Sequence, residues 1–212
     1  MMETLKKRYC DININVRPLG CKFVLFEMMV GKEKFEFMPS SAVASHQFGA
    51  LVSAIYSLFF EGDDYHEEWN KNLDIVDENN VIQFFRSKVL WDNEGDTVDI
   101  LFTRKVDVEI DYDNDEIIME IYNYDDLLKK YILKTKDLCY AVAKAFTEVI
   151  KKYGFYGYRY STENDFFIIH QLLYIKSFAL GNFEARELVK CDSNFVYKTD
   201  IEKEIELLLF DM

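Results

Sequence analysis

Two hydrophobic periods divide this chain of 212 residues. From Ile12 to Met38 the pattern is extended. INVRPLG closes a short strand, CKFVLFEMMV reads as a buried one, and Gly31-Lys32 turns the chain into EKFEFMPS, where Phe35 and Phe37 alternate with charges. Pro39, Ser40 and Ser41 stop the strand and offer helix caps. Ala44, Phe48, Leu51, Val52, Ile55, Leu58 and Phe59 then recur at three and four, which predicts an amphipathic helix near 43–60.

Residues 61–80, EGDDYHEEWNKNLDIVDENN, carry no period and read as a long acidic loop. Beyond it VIQFFRSKVLW, TVDILFTRKVDVEIDY and EIIMEIYNY, separated by DNEGD and DND, predict a second antiparallel meander with one solvated face. Leu138, Val142, Ala145, Phe146, Val149, Ile150 and Tyr153 then form a helical face that Gly154 closes as a C-cap. Asn164 caps a further helix through Phe178, and Thr199 with Glu202 makes a capping box before Ile205, Leu208 and Leu209. The expectation is a single α+β domain over 1–212. It consists of antiparallel β meanders with helices packed on one face, strand-rich over 9–125 apart from the helix near 43–60, and helical over 135–212.

Composition supports a folded chain, since half the residues are hydrophobic and 16% aromatic. The opening MMETLKKRYCDININV lacks the apolar run of a signal peptide, and no later stretch has the length of an uncharged membrane span, so the chain reads as cytoplasmic with no membrane partner. Cys10, Cys21, Cys139 and Cys191 lie far apart with no C-x-x-C pair and read as reduced, mostly buried thiols. Two prolines and abundant Lys, Asn, Ile, Phe and Tyr suggest an AT-rich coding genome.

Charge changes the picture most. The formal net charge is −13, and residues 61–126 alone hold twenty-one acids against five bases, whereas 129–160 hold eight bases and two acids. A field of that sign repels phosphates and draws basic partners, which argues against direct nucleic-acid binding.

Candidate chemistry is thin. His46, His66 and His170 sit in no catalytic or metal motif. Ser45 and His46 are adjacent, and neighbours on a helix do not face each other. His170 reads as a core or boundary histidine. DDYHEEW places Asp63, Asp64, Glu67 and Glu68 around His66, a ligand set suited to Mg²⁺, Mn²⁺ or Zn²⁺, yet no second histidine or H-E-x-x-H accompanies it. DYDNDE opens like a calcium loop but has Glu116 where glycine is needed and Tyr122 where the bidentate glutamate belongs. No P-loop, G-x-G-x-x-G or G-x-S-x-G occurs, so neither cofactor nor metal is expected. KKYGFYGYRY, residues 151–160, clusters tyrosine with arginine as interface hot spots do, and equally fits a helix–helix connection whose tyrosines cover the core.

VLWDNEGDTVDILF, the acidic strand pair after it, and KKYGFYGYRYSTENDFFIIHQLLYIKS resemble bacterial polymorphic-toxin immunity proteins, including those of contact-dependent inhibition systems, over residues 80–180. That resemblance implies a small, acidic, non-enzymatic protein that occludes a toxin domain, often a basic nuclease. It assigns no binding residues. The function expected is therefore immunity to a cognate basic toxin. Asp63, Asp64, Glu67, Glu68, Asp111, Asp113, Asp115 and Glu116 form the electrostatic face, and Trp69, Tyr156 and Tyr158 are aromatic contacts. The alternatives are a metal-dependent hydrolase using the 63–68 loop, and a phage or mobile-element protein that mimics DNA to block a host defence protein.

Overall fold

Alternation in the first meander resolves into three antiparallel strands, β1 (Ile12–Gly20), β2 (Phe23–Val30) and β3 (Glu33–Phe37), in the order β1-β2-β3. Val30 pairs with Glu33, leaving a two-residue turn in which Gly31 has φ +60°. A β-carbon there would meet nothing within 4 Å, so it is the left-handed backbone and not space that calls for glycine. The computed structural model describes residues 9–20, 23–38, 47–59, 75–78, 81–92, 97–106, 114–162, 169–181, 190–191, 197–198 and 200–212.

Helix α1 (Gln47–Tyr56) runs into a 3₁₀ turn, Ser57–Phe59. A five-stranded antiparallel sheet follows in simple sequence order: β4 (Ile75–Val76), β5 (Ile82–Asp92), β6 (Thr97–Lys105), β7 (Glu116–Asn123) and β8 (Asp126–Lys134). Then come α2 (Thr135–Thr162), α3 (Ile169–Ala179), a short ribbon of β9 (Lys190–Cys191) with β10 (Tyr197–Lys198), and α4 (Ile201–Leu209). The architecture is the expected α+β one, a single domain with helices packed against antiparallel sheet.

One core cluster joins both sheets to the helices. Trp91 of β5 is fully buried against Phe26 of β2 and Phe37 of β3, with ring centroids 4.5 and 5.2 Å away. At the margin of the two sheets Glu33 accepts from Lys129 and from the Tyr131 hydroxyl, and Phe35 meets the Tyr131 ring edge-on. Lys129 in the first place, then Tyr131, holds the Glu33 carboxyl below the usual carboxylate range, while burial and then Glu33 push the Tyr131 hydroxyl up. Helix α2 packs along β1 and against α3. It is buried around most of its girth through Leu138, Cys139, Ala141, Val142, Ala143, Ala145 and Phe146, the alanines permitting close approach.

Three local expectations change. The strand-rich part extends to Lys134, because DLLKKYILK forms β8: Tyr131 and Leu133 alternate inward, while Asp126 to Lys130 lie exposed at the sheet edge and mask the period. Gly154 (φ 67°, ψ 166°) breaks α2, as its position suggested, but the helix resumes through Thr162 where a connection was expected. The N-cap of α4 is Asp200, whose carboxylate accepts from the backbone N–H of Glu202 and Lys203 at 3.2 and 3.4 Å, and not Thr199, which lies outside the described residues.

Candidate interaction face of the five-stranded sheet

Strand β5 sorts its residues by parity. Phe85, Ser87, Val89 and Trp91 are buried on the core side, whereas Ile82, Phe84, Arg86, Lys88 and Leu90 are half-buried or exposed. Pairing registers carry the outer set across the sheet in rows. Arg86 leads to Thr103, Ile118 and Ile132; Lys88 to Leu101, Glu120 and Lys130; Leu90 to Asp99, Tyr122 and Leu127. Leu101 belongs to this face and not to the core cluster. Lys88 pairs with Asp99, and Lys130 donates to Glu120 at 2.8 Å, so the middle of the face is a cross-strand charge ladder.

The two ends of this face differ in chemistry. At the β7–β8 turn Leu90 (47%), Tyr124 (58%), Leu127 (49%) and Leu128 (50%) are exposed, with Tyr122 half-buried beside them. Two features of the backbone place this group. A bulge between Ile121 and Tyr122 inserts Leu128 as an extra residue, and Tyr124 sits at φ 53°, which a bulky side chain rarely adopts. Exposed apolar and tyrosine side chains along one sheet end are the kind of surface on which partners find hot spots, with Leu90 set apart from the β7–β8 group by Asp99 of β6.

The opposite end carries the β4–β5 turn and the close of β6. The Val106 N–H donates to the Gln83 carbonyl at 3.0 Å, Asp77 and Val81 close the β4–β5 turn at 2.9 Å, and Glu116 pairs with Lys134, which sets the flanks of 107–113 beside those turns. Segment 61–74 leads into β4, whose Ile75 pairs with Phe84. Those two segments hold ten acids and one lysine in the sequence.

Of the residues singled out by sequence, Asp63, Asp64, Glu67, Glu68, Trp69, Asp111 and Asp113 lie outside the described residues. Tyr156 and Tyr158 lie on α2 beyond the break at Gly154, with side chains outside the description. Glu116 is half-buried and accepts from the Tyr9 hydroxyl at 3.5 Å. Asp115 departs from the expectation of a solvent-facing charge. It is 8% exposed, and its Oδ2 accepts from Arg104 Nε at 2.7 Å. Arg104 also donates Nη1 to the Leu58 carbonyl at 3.2 Å and lies over the Phe59 ring, so this acid ties β6 to the 3₁₀ turn.

The other sequence candidates are equally plain. His170 is exposed, with its ring against the edge of Tyr56, and not a core residue; its neighbour Gln171 is the buried one, accepting from Ser53 Oγ at 2.7 Å. Cys139 is buried and Cys10 half-buried, both free thiols, and burial pushes the Cys139 thiol up. No group of three or more His, Cys, Asp or Glu that could hold a metal occurs among the described residues, and the 63–68 loop lies outside them. No helix among the described residues is long and apolar enough to cross a membrane. Comparison with family models, curated proteins and solved structures gave no match.

Leu90, Tyr122, Tyr124, Leu127 and Leu128 escaped the sequence reading. The signal that finds them is parity: once Trp91 and Val89 are assigned inward, Leu90 must point out.

Proposed function

We propose that this chain is a non-enzymatic acidic binding protein that neutralises a basic protein domain by occluding it, in the manner of an immunity protein. The observation that carries the reading is dense acidity in the sequence beside exposed apolar side chains in the fold. Segments 61–74 and 107–113 hold ten acids and one lysine, and Leu90, Tyr124, Leu127 and Leu128 are exposed at the sheet end that holds the β7–β8 turn. Acidic segments of this density speed encounter with a cation, and apolar and tyrosine contacts, once dry, set the lifetime of the complex.

The test is co-expression with the basic domain encoded beside this chain's gene. The proposal expects growth to be rescued from that domain's toxicity, with a stable complex recovered on purification. Toxicity undiminished by abundant protein, with no complex formed, contradicts it.

A further inference from the structure

Helix α4 has its apolar side turned the wrong way for a helix that folds by packing. None of its residues is buried, and Ile201 (62% exposed), Ile205 (49%) and Leu209 (50%), four apart and so on one stripe, face outward, with Phe210 (52%) following them. Among the described residues, Leu208 and Met212 are what this segment packs against the core, and they are partly buried. A nine-residue helix is far below the length of about 12–15 residues at which isolated helices become even marginal. Something other than burial holds it.

That something is polar and sits at its ends. Asp200 caps the first turn. At the other end Lys176 of α3, wholly buried, donates all three of its ammonium hydrogens: to the Leu208 carbonyl at 3.0 Å, the Phe210 carbonyl at 2.7 Å and Thr147 Oγ1 of α2 at 2.9 Å. Thr147 in turn donates to the Ala143 carbonyl at 2.8 Å, and Lys151 pairs with Asp211 just beyond. A buried cation on the last carbonyls of a helix fixes both its position and its rotation.

We infer that the outer stripe of α4, Ile201, Ile205 and Leu209, is a docking ridge for a basic protein partner, entering an apolar groove rimmed by cations. Charge selects this occupant. Residues 200–212 carry Asp200, Glu202, Glu204, Glu206 and Asp211 against Lys203, and Glu202 with Glu206 line one side of the stripe. A second copy fits poorly, because in a two-fold antiparallel helix pair equivalent flanks face each other, setting Glu202 and Glu206 against their own copies. A partner groove with lysine or arginine on its rim meets both the ridge and its acidic flank. The inference extends the proposed function in taking the partner as basic but uses a different surface, so the two fail separately.

The test uses the full chain and a synthetic amphipathic helix of leucine and lysine as probe, with a leucine–glutamate helix as control. The expected result is that the cationic helix binds and the anionic one does not, and that Ile205→Asp or Leu209→Asp weakens binding roughly tenfold or more without lowering the melting temperature, since both side chains are exposed. Lysine substitution of Asp63, Asp64, Glu67 and Glu68 leaves the effect of Ile205→Asp in place. Binding of the cationic helix that is indifferent to Ile205→Asp overturns the inference. So does self-association abolished by Ile205→Asp, which makes the occupant a second copy, and so does Ile205-dependent adsorption to phosphatidylcholine vesicles, which makes it a lipid surface.

Discussion

Replacing Asp115 by alanine leaves Arg104 buried, 2% exposed, without its ion-pair partner; among the described residues only the Leu58 carbonyl and the Phe59 ring remain against it. Removing one member of a buried ion pair costs about 3–5 kcal/mol. In a domain of this size about 1 kcal/mol moves the melting temperature by roughly 2–4 °C, so Asp115→Ala is expected to melt roughly 6–20 °C below the parent. Arg104 Nη2 is buried without a hydrogen-bond partner among the described residues, so the pair is incompletely satisfied even when intact. The double variant Arg104→Met/Asp115→Leu, which removes both charges, is therefore expected to recover most of the loss. The assay is thermal and urea unfolding of the three proteins followed by circular dichroism. A loss below about 1 kcal/mol in Asp115→Ala, or a double variant as unstable as the single one, refutes the reasoning. The same variants separate structure from recognition: at a temperature where Asp115→Ala is folded it binds its partner as the parent does, because this carboxylate faces Arg104 and not solvent.

Lys176 gives a pH signature. Burial, then Lys151, lowers its pKa to about 8 from the ordinary 10.5. Below pH 8 both folded and unfolded chains hold the proton and the full cost of burying the charge is present; between those two values only the unfolded chain holds it, so stability rises with pH, by at most about 3 kcal/mol. Urea midpoints of the parent therefore climb relative to Lys176→Met across that window, and a flat difference contradicts the assignment. Cys139 is expected to stay unreactive to a thiol reagent until the chain unfolds, while half-buried Cys10 reacts in the native state; parallel labelling of both contradicts the burial described. Tyr124→Asn is expected to stabilise the fold by about 0.5–1 kcal/mol, as asparagine tolerates the left-handed backbone, while weakening partner binding; lower stability contradicts the strain at this residue, and unchanged binding removes Tyr124 from the interface.

Much of the fold was legible in the sequence because its signals are local. Phe35 and Phe37 alternate against charge, Gly31 marks its turn, and the face from Leu138 to Ile150 keeps helical spacing over three turns. Strand β8 was not legible, since its first half is exposed at the sheet edge and carries no inward period. The fate of Asp115 was not legible either. A D-x-D-x-D run at a strand connection reads as a solvated tip, and only tertiary pairing brings Arg104, eleven residues earlier, onto one of its carboxylates. Lys176 hides in the same way, as one cation in an apolar helix whose acceptors are the Thr147 hydroxyl and two main-chain carbonyls, all distant in sequence. The apolar end of the open face is intermediate: each residue looks ordinary, and only strand parity and register gather them. The acidic segments were legible as charge, and they lie outside the described residues.

The proposed recognition of a basic partner is led by the acid-rich segment 61–74. Its most direct test is the association rate of the purified partner domain with the parent and with Asp63→Lys/Asp64→Lys/Glu67→Lys/Glu68→Lys, measured by stopped flow at low and high salt. The expected result is a parent rate that falls steeply with salt and a variant at least about tenfold slower at low salt, the two converging as salt rises. Equal rates for the two proteins, each indifferent to salt, contradict it.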